Sequence, residues 1–355
     1  MQAAILAARE SVRLETYTFA PSPLAERFRE ALLTVRRSGA RVQVLVDALG
    51  SRELPDSFWA RLREAGGECR WFNPLSLERF AYRDHRKVLV CDERVAFVGG
   101  FNIASEYDGD GVARGWRDLG LQITGPLATE LAENFDAMFA RAEFRHRRLQ
   151  SFRPARDQVR SGQDWRLLLS GPGWRHGEIK RSLARDLVPA RGVQIIAAYF
   201  LPTWRLRKEL MRVARRGGRV QLILAGRSDV RLSQLASRRL YRRFLRAGVE
   251  IYEYQPQVLH AKLFIVDGVV YVGSSNLDAR SLQINYELVV RLAYPKLTEE
   301  ARTLFGQILE HCRRIDPVAW RRARTVLSKL QERWAYFLLA RLDPLIARWQ
   351  LKRLR

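Results

Sequence analysis

Cysteine, histidine and lysine are all scarce in this sequence. Only Cys69, Cys91 and Cys312 occur in 355 residues, and no two of them form a CxxC pair. So sparse and odd a set builds neither a disulfide framework nor a structural zinc site, and it fits a reducing compartment. Long apolar runs are missing too. The longest, residues 195–201 and 334–340, reach seven residues, against the ~18 that a spanning helix needs. No charged start leads into a long apolar stretch, so no signal-peptide pattern is present. Acidic residues are also in short supply: Asp+Glu total 38 against 62 Lys+Arg, a net charge of +24. With 47% hydrophobic residues the chain is folded rather than a disordered basic tail. Its positive surface suits polyanions such as nucleic acid, anionic lipid or phosphorylated substrates. The excess is nearly all arginine, 55 against seven lysines, a ratio that coding bias also produces, so charge alone selects no partner.

The length is enough for two similar lobes, and the sequence repeats itself. Arg37-Arg-Ser-Gly-Ala-Arg-Val-Gln-Val-Leu-Val46 is echoed about 178 residues later by Arg215-Arg-Gly-Gly-Arg-Val-Gln-Leu-Ile-Leu224. Each follows a helical pattern (24–35 and 206–214) and reads as helix, glycine stop and buried strand. An apolar strand precedes each (14–19 and 193–201), and a helix and another strand follow. Alternating strands and helices predict an α/β fold. The expected units are a first lobe over 1–150, a polar linker over 151–163, a second lobe over 164–297 and a purely helical, basic tail over 298–355. The chain opens directly on a helical pattern over 2–12, with no strand before it.

Two of the five histidines begin the same motif. His85-Arg-Lys87-Val-Leu-Val-Cys-Asp92 leads to Gly99-Gly100-Phe101-Asn102; His260-Ala-Lys262-Leu-Phe-Ile-Val-Asp267 leads to Gly273-Ser274-Ser275-Asn276. Residues i and i+2 of a strand share a face, so each His projects with its Lys. The Asp lies in a turn, and the returning strand brings the Asn back beside the pair. Two such hairpins around a pseudo-twofold would hold one phosphodiester. Lysines and amides would grip its oxygens, with a histidine on each side of phosphorus.

This doubled HxKx4D…GxN pattern resembles the phospholipase D superfamily. The second copy continues as Asn276-Leu-Asp278-Ala-Arg280-Ser281-Leu-Gln-Ile-Asn285-Tyr-Glu287, which is similar to the extended signature of lipid-acting members, bacterial cardiolipin synthases above all. Supporting stretches are Leu14-Glu-Thr-Tyr-Thr-Phe19, Gly115-Trp-Arg-Asp118 and Tyr199-Phe-Leu-Pro202. The resemblance implies two pseudo-twofold-related α/β lobes, each a mixed sheet flanked by helices, with one active site between them. It implies ping-pong phosphoryl-group transfer with no metal and no cofactor. His85 is expected as nucleophile and His260 as acid/base, with Lys87, Lys262, Asn102 and Asn276 on the phosphate. Orienting carboxylates are expected to cross between halves, Glu287 to His85 and Asp118 to His260. Asp92 and Asp267 belong to the catalytic motif but read as hairpin braces.

Blander readings stand beside these. One HxK is an ordinary surface pair; two with matching flanks are not. A retired enzyme usually loses a His or Lys, and all four remain. Asp118 and Glu287 could simply pair with arginines. His146, His176 and His311 lie outside the repeats. Three departures from the family pattern are Asp84 where Asn is common, Ala198 where Pro is common, and the absence from the first half of any counterpart to the strand-like stretch from Trp165 to Pro172. That last departure reads as a missing edge strand.

The tail carries a helical stripe of Trp334, Phe337, Leu338, Leu342, Leu345, Ile346 and Trp349, expected to break at Pro344. Arg333, Arg341, Arg348, Lys352, Arg353 and Arg355 surround it. It reads equally as a peripheral membrane anchor or as a helix packed on its own domain. The expected function is a cardiolipin synthase-like phosphatidyltransferase, with a phospholipase-type hydrolase or a nuclease as alternatives. Its expected partners are anionic phospholipids and the membrane surface, with nucleic acid less favoured. The internal repeat removes any need for a catalytic dimer. The expected place is peripheral, on the cytoplasmic side of a bacterial membrane.

Overall fold

A computed structural model describes residues 1–74, 81–142, 162, 164–172 and 177–346. Apart from Gly162, the expected linker lies outside these residues, as do His146, His176, Arg348, Trp349, Lys352, Arg353 and Arg355.

The first lobe runs α1 (Gln2–Ala7), β1 (Ser11–Thr16), α2 (Pro23–Arg37), β2 (Arg41–Asp47), α3 (Ala60–Glu64), β3 (Glu68–Phe72), β4 (Val88–Cys91), β5 (Val95–Gly99), β6 (Gly120–Thr124) and α4 (Pro126–Phe139). The second runs β7 (Trp165–Ser170), α5 (Glu178–Leu187), β8 (Gly192–Ala197), α6 (Trp204–Arg215), β9 (Arg219–Ala225), α7 (Arg231–Arg246), β10 (Glu250–Tyr254), β11 (Lys262–Val266), β12 (Val269–Gly273), α8 (Ala279–Gln283), β13 (Glu287–Leu292) and α9 (Pro295–Glu310). Then follow β14 (Cys312–Arg314), α10 (Pro317–Ala323) and α11 (Val326–Phe337).

The sheet orders are β3-β2-β1-β4-β5-β6 and β14-β10-β9-β8-β11-β12-β13-β7. The first matches the middle six strands of the second, and in both the first three of the six are parallel while the hairpin half is antiparallel. The helical stop signals work as the residues dictate. Ser22 caps α2 by accepting from the Ala25 amide, Pro23 sits at its first position, and Gly39 turns the chain out at φ 101°. Beyond β13 the second sheet adds β7; beyond β6 the first adds nothing among the described residues.

Three expectations need correction. The opening helix stops at Ala7, because the Asp92 carboxylate takes the amides of Arg9, Glu10 and Ser11 and starts β1 there. The tail is not purely helical from 298. The position falls in the first turn of α9, the counterpart of α4, which buries Ala301, Phe305 and Ile308. Cys312–Arg314 then pairs with the open edge of β10; three residues are too few to show a period. Nor does Pro344 break the last helix. A π turn at Leu338–Leu342 absorbs its missing N–H, and residues 343–346 remain helical.

The lobes share a core. Val88, Val90, Ala96 and Val98 of the first pack with Leu167, Leu288, Val290 and Leu292 of the second. Burying those four residues of the second lobe is worth on the order of 6–10 kcal/mol.

The repeats differ sharply beneath the first histidine. Aligned by register, Glu15, Asp84 and Arg86 occupy the places of Ile196, Leu259 and Ala261. The second trio is apolar core; the first is a buried ionic cluster. Arg86 donates to Glu15 at 3.0 Å, and burial together with the Glu15 charge pushes the Asp84 carboxyl well above its usual range. Arg86→Ala should therefore destabilise the fold by about 3–5 kcal/mol by stranding a buried carboxylate. The triple change Glu15→Ile, Asp84→Leu, Arg86→Ala should recover most of that loss. Denaturant unfolding of both variants checks this; a triple variant less stable than the single one would refute it.

Candidate active site

Each histidine is seated by a strand-like contact with the other lobe. Asp84 bridges Tyr286, and the His85 amide donates to the Tyr286 carbonyl at 3.0 Å. Leu259 bridges Arg117, and the His260 amide donates to the Arg117 carbonyl at 2.8 Å. The residue after each bridge partner is a carboxylate, Glu287 or Asp118. Nδ1 of His85 thus lies 3.1 and 3.2 Å from the two Glu287 oxygens, and Nδ1 of His260 lies 2.7 Å from Asp118 Oδ2. An Nδ1–H pointing at a carboxylate leaves the lone pair on Nε2 of both rings.

Glycine makes room for this. A Cβ at Gly99 or Gly273 would run into the carbonyl of Leu119 or Leu288, the residue following each carboxylate. The next position breaks the symmetry. A side chain at Gly100 would strike Asp118, whereas Ser274 in its place hydrogen-bonds Glu287.

His85 and His260 line one cavity of about 640 Å³ between the lobes, with Asn102 and Asn276. Lys87 and Lys262 are buried behind them, each donating to the carbonyl of its motif histidine, Lys87 at 2.7 Å. Asn102 accepts from the Thr18 amide and donates to the Tyr107 hydroxyl at 2.7 Å; the side-chain oxygen of Asn276 is buried without a partner among the described residues. Asp92 and Asp267 lie at the far end of the hairpins, roughly 20 Å of strand from the histidines. Asp267 accepts from the amides of Arg191 and Gly192 as Asp92 does from its three. Grouping them with the catalytic residues is corrected accordingly: the motif spacing that marks them reflects hairpin bracing.

Sequence reasoning missed several groups. Tyr17 packs on the His85 ring at 5.0 Å. Tyr107 and Trp116 pack on His260 at 5.4 and 5.5 Å, with the Tyr107 hydroxyl 3.3 Å from Nδ1. Trp116 stands in the quoted Gly115–Asp118 stretch; nothing in the spacing of Tyr107 marks it. Ser274 stands in the glycine turn and could have been found from its neighbours.

Burial sets the electrostatics. It lowers His85 well below the ordinary imidazole value, helped by the positive charge of Lys87, and lowers His260 as well. It lowers Lys87 to about 7, with Glu287 opposing, and lowers Lys262. It lifts Glu287 to about 8 against Lys87 and Ser274. Burial thus weakens the charge of both lysines, and a phosphodiester beside them would favour their charged forms.

Paired His-Lys hairpins facing one cavity define a phospholipase D-like phosphodiester site. Comparison with known proteins agrees. A family model described as cardiolipin synthase, PLD-like domain, matches residues 1–141 and 188–309. Cardiolipin synthase B of Salmonella typhi is 32% identical over 330 residues, covering 88% of this chain and 78% of that protein. Cardiolipin synthase B of Escherichia coli (strain K12) is 31% identical, covering 92% and 82%. Among solved structures, phosphatidylserine synthase of Haemophilus influenzae aligns with TM-score 0.75 over 98% of this chain and 91% of that one, at 14% identity. Polyphosphate kinase of Porphyromonas gingivalis aligns with TM-score 0.60, covering 90% and 46%, at 17% identity; these two likenesses concern the fold alone. The chain belongs to the cardiolipin synthase family of PLD-like proteins. It is an enzyme of the phospholipase D superfamily, of the phosphatidyltransferase kind.

The shifted groups set a pH dependence. A His85 lowered well below its usual value stays neutral down to acid pH, while Lys87 in the free enzyme loses its proton as pH rises through about 7. The kcat/KM for detergent-dispersed phospholipid should therefore fall above neutrality as Lys87 loses its proton and fall on the acid side as Glu287, lifted to about 8, gains one, leaving a narrow optimum between the two. A kcat/KM that climbs from neutral to alkaline pH would contradict this.

Proposed function

We propose that this protein makes cardiolipin by transferring a phosphatidyl group from one phosphatidylglycerol to another through a phosphohistidine. The observation that carries the reading is the pair of carboxylate-held imidazoles on one cavity. Nε2 of His85 attacks the donor phosphorus, and the bond to the glycerol oxygen breaks. His260 enters this step as the imidazolium, gives its Nε2 proton to the departing glycerol and is left neutral. It then takes the proton of the acceptor lipid's hydroxyl, whose oxygen attacks phosphorus and displaces His85. Lys87, Lys262, Asn102 and Asn276 hold the non-bridging oxygens. The role of His260 as proton carrier is supported by its tighter contact, 2.7 Å to Asp118, and by its cage of Tyr107 and Trp116. We place the protein peripherally on the cytoplasmic face of a bacterial membrane. Supporting this, no helix among the described residues is long and apolar enough to cross a membrane, and α11 exposes Val326, Leu327, Leu330 and Trp334.

Lipid mass spectrometry after incubation with phosphatidylglycerol vesicles tests the reading. Cardiolipin and free glycerol are expected. His85→Ala should abolish both, and His260→Ala should lower kcat by about 10²–10⁴-fold while a trapped phosphohistidine becomes detectable. Phosphatidic acid alone would make the enzyme a hydrolase. Cleavage of DNA without lipid turnover would make it a nuclease.

A further inference from the structure

A second basic cavity lies away from the catalytic one, where α7 meets α10 and α11. It measures about 370 Å³ and is lined by Arg242, Arg246, Arg321, Arg324 and Lys329, with Leu245, Pro317, Val318 and Trp320 completing it. No carboxylate lines it among the described residues. Of the five cations only Arg324 has an acidic partner among the described residues, Glu332. Such a cluster repels itself and destabilises the fold unless an anion neutralises it. The Trp320 indole N–H is buried and has no hydrogen-bond partner among the described residues, a donor left over at the cavity wall. Arg238 and Arg324 each lie 5.8 Å from that ring.

What surrounds the cavity indicates where the anion comes from. Lys329 stands on α11 among Val326, Leu327 and Leu330, which are exposed to 82%, 64% and 50%. The exposed apolar line continues through Trp334, Phe337 and Leu342 to Leu345 and Ile346. On its inner side the helix is anchored, with Ala335 buried in the second lobe's core and Tyr336 bonded to Arg207. At its far end Asp343 pairs with Arg280, which lines the catalytic cavity. The outer stripe therefore joins the basic cavity to the catalytic mouth across roughly 20 Å of helix. A free phosphate or a nucleic acid would use the cations but leave the apolar residues in water. A bilayer of anionic phospholipid uses both.

We propose that this cavity binds the phosphate of an anionic phospholipid headgroup while α11 lies along the bilayer surface, a non-catalytic lipid site that holds the active-site mouth against the membrane. The inference rests on the lipid-transfer reading above. Arg242, Arg246, Arg321 and Lys329 clamp the phosphate, and Val326, Leu327 and Leu330 enter the acyl boundary.

The test uses the full chain and vesicles of phosphatidylcholine with and without phosphatidylglycerol. The variant Arg242→Glu, Arg246→Glu, Lys329→Glu alters exposed side chains outside the catalytic machinery. A control, Arg9→Glu, Arg37→Glu, Arg185→Glu, makes the same net-charge change elsewhere. Binding to phosphatidylglycerol vesicles should fall about a hundredfold in the first variant and much less in the control. Turnover of detergent-dispersed lipid should be unchanged in both. Equal loss in the two variants would reduce the effect to bulk charge and overturn the site. Unchanged vesicle binding in the first variant would overturn it, as would full competition by inorganic phosphate at concentrations that leave the control's membrane binding intact. Loss of DNA retardation with vesicle binding intact would make the cavity a nucleic-acid site instead. If the wild type turns over no lipid at all, the transfer reading fails by itself, and the vesicle comparison still decides the cavity.

Discussion

Two backbone bridges between the lobes hold the chemistry of this enzyme together. Asp84 to Tyr286 and Leu259 to Arg117 each tie the segment entering a histidine to the segment entering the other lobe's carboxylate. A histidine cannot be oriented unless the opposite lobe is docked. The bridges themselves are weak, since a hydrogen bond contributes about 1 kcal/mol. The shared apolar core supplies several times more. Packing therefore brings the lobes together, and the bridges fix the register in which they meet. Register matters because one residue of slip would put Tyr286 or Arg117 where a carboxylate must stand. Gly99 and Gly273 belong to the same requirement, since any side chain there would hold the carboxylate strand off.

The two half-sites share a plan but not an environment. Asp118 has only a glycine beside it and gives its whole acceptor capacity to the His260 ring and the Leu119 amide. Glu287 shares one oxygen, Oε2, between the His85 ring and the Ser274 hydroxyl. Beneath His85 a buried Glu15–Asp84–Arg86 cluster replaces the aliphatic trio beneath His260. Buried ion clusters seldom stabilise a fold relative to well-packed apolar residues, so stability does not account for its presence. Two histidines of identical motif acquire different surroundings in this way.

The sequence made the repeat, both hairpins and the crossed carboxylates legible, because each rests on short-range pattern or on the doubled motif with its flanks. His85 with Glu287 and His260 with Asp118 meet as the resemblance implied. What escaped depends on tertiary contacts. Tyr107 reaches His260 from an irregular loop with no periodicity, and β14 exists only because β10 offers an edge. The end of α1 is set by Asp92, 81 residues beyond Ser11 along the chain, which no local propensity could show. Pro344 predicts a break by its own chemistry, yet a π turn just before it supplies the slack. Asp92 and Asp267 show the converse: a regular spacing can mark a turn that braces the fold as readily as a group that touches substrate.

Burial of the two lysines explains why the site is built inside and not on the strongly positive surface. An exposed ammonium attracts any polyanion, and this chain has dozens of exposed guanidinium groups that do so. A buried lysine with a lowered pKa is different: a phosphate beside it favours its charged form. The surface charge can thus raise the local concentration of anionic lipid without discrimination. Discrimination falls to the cavity that His85 and His260 line together, with both lysines buried behind them. Arg280 connects these two levels. It lines the catalytic cavity, donates to the Ala81 carbonyl of the first lobe at 3.2 Å, and pairs with Asp343 at the end of the exposed apolar helix. Any displacement of that helix acts on Arg280, and through it on the mouth of the cavity and the junction of the lobes.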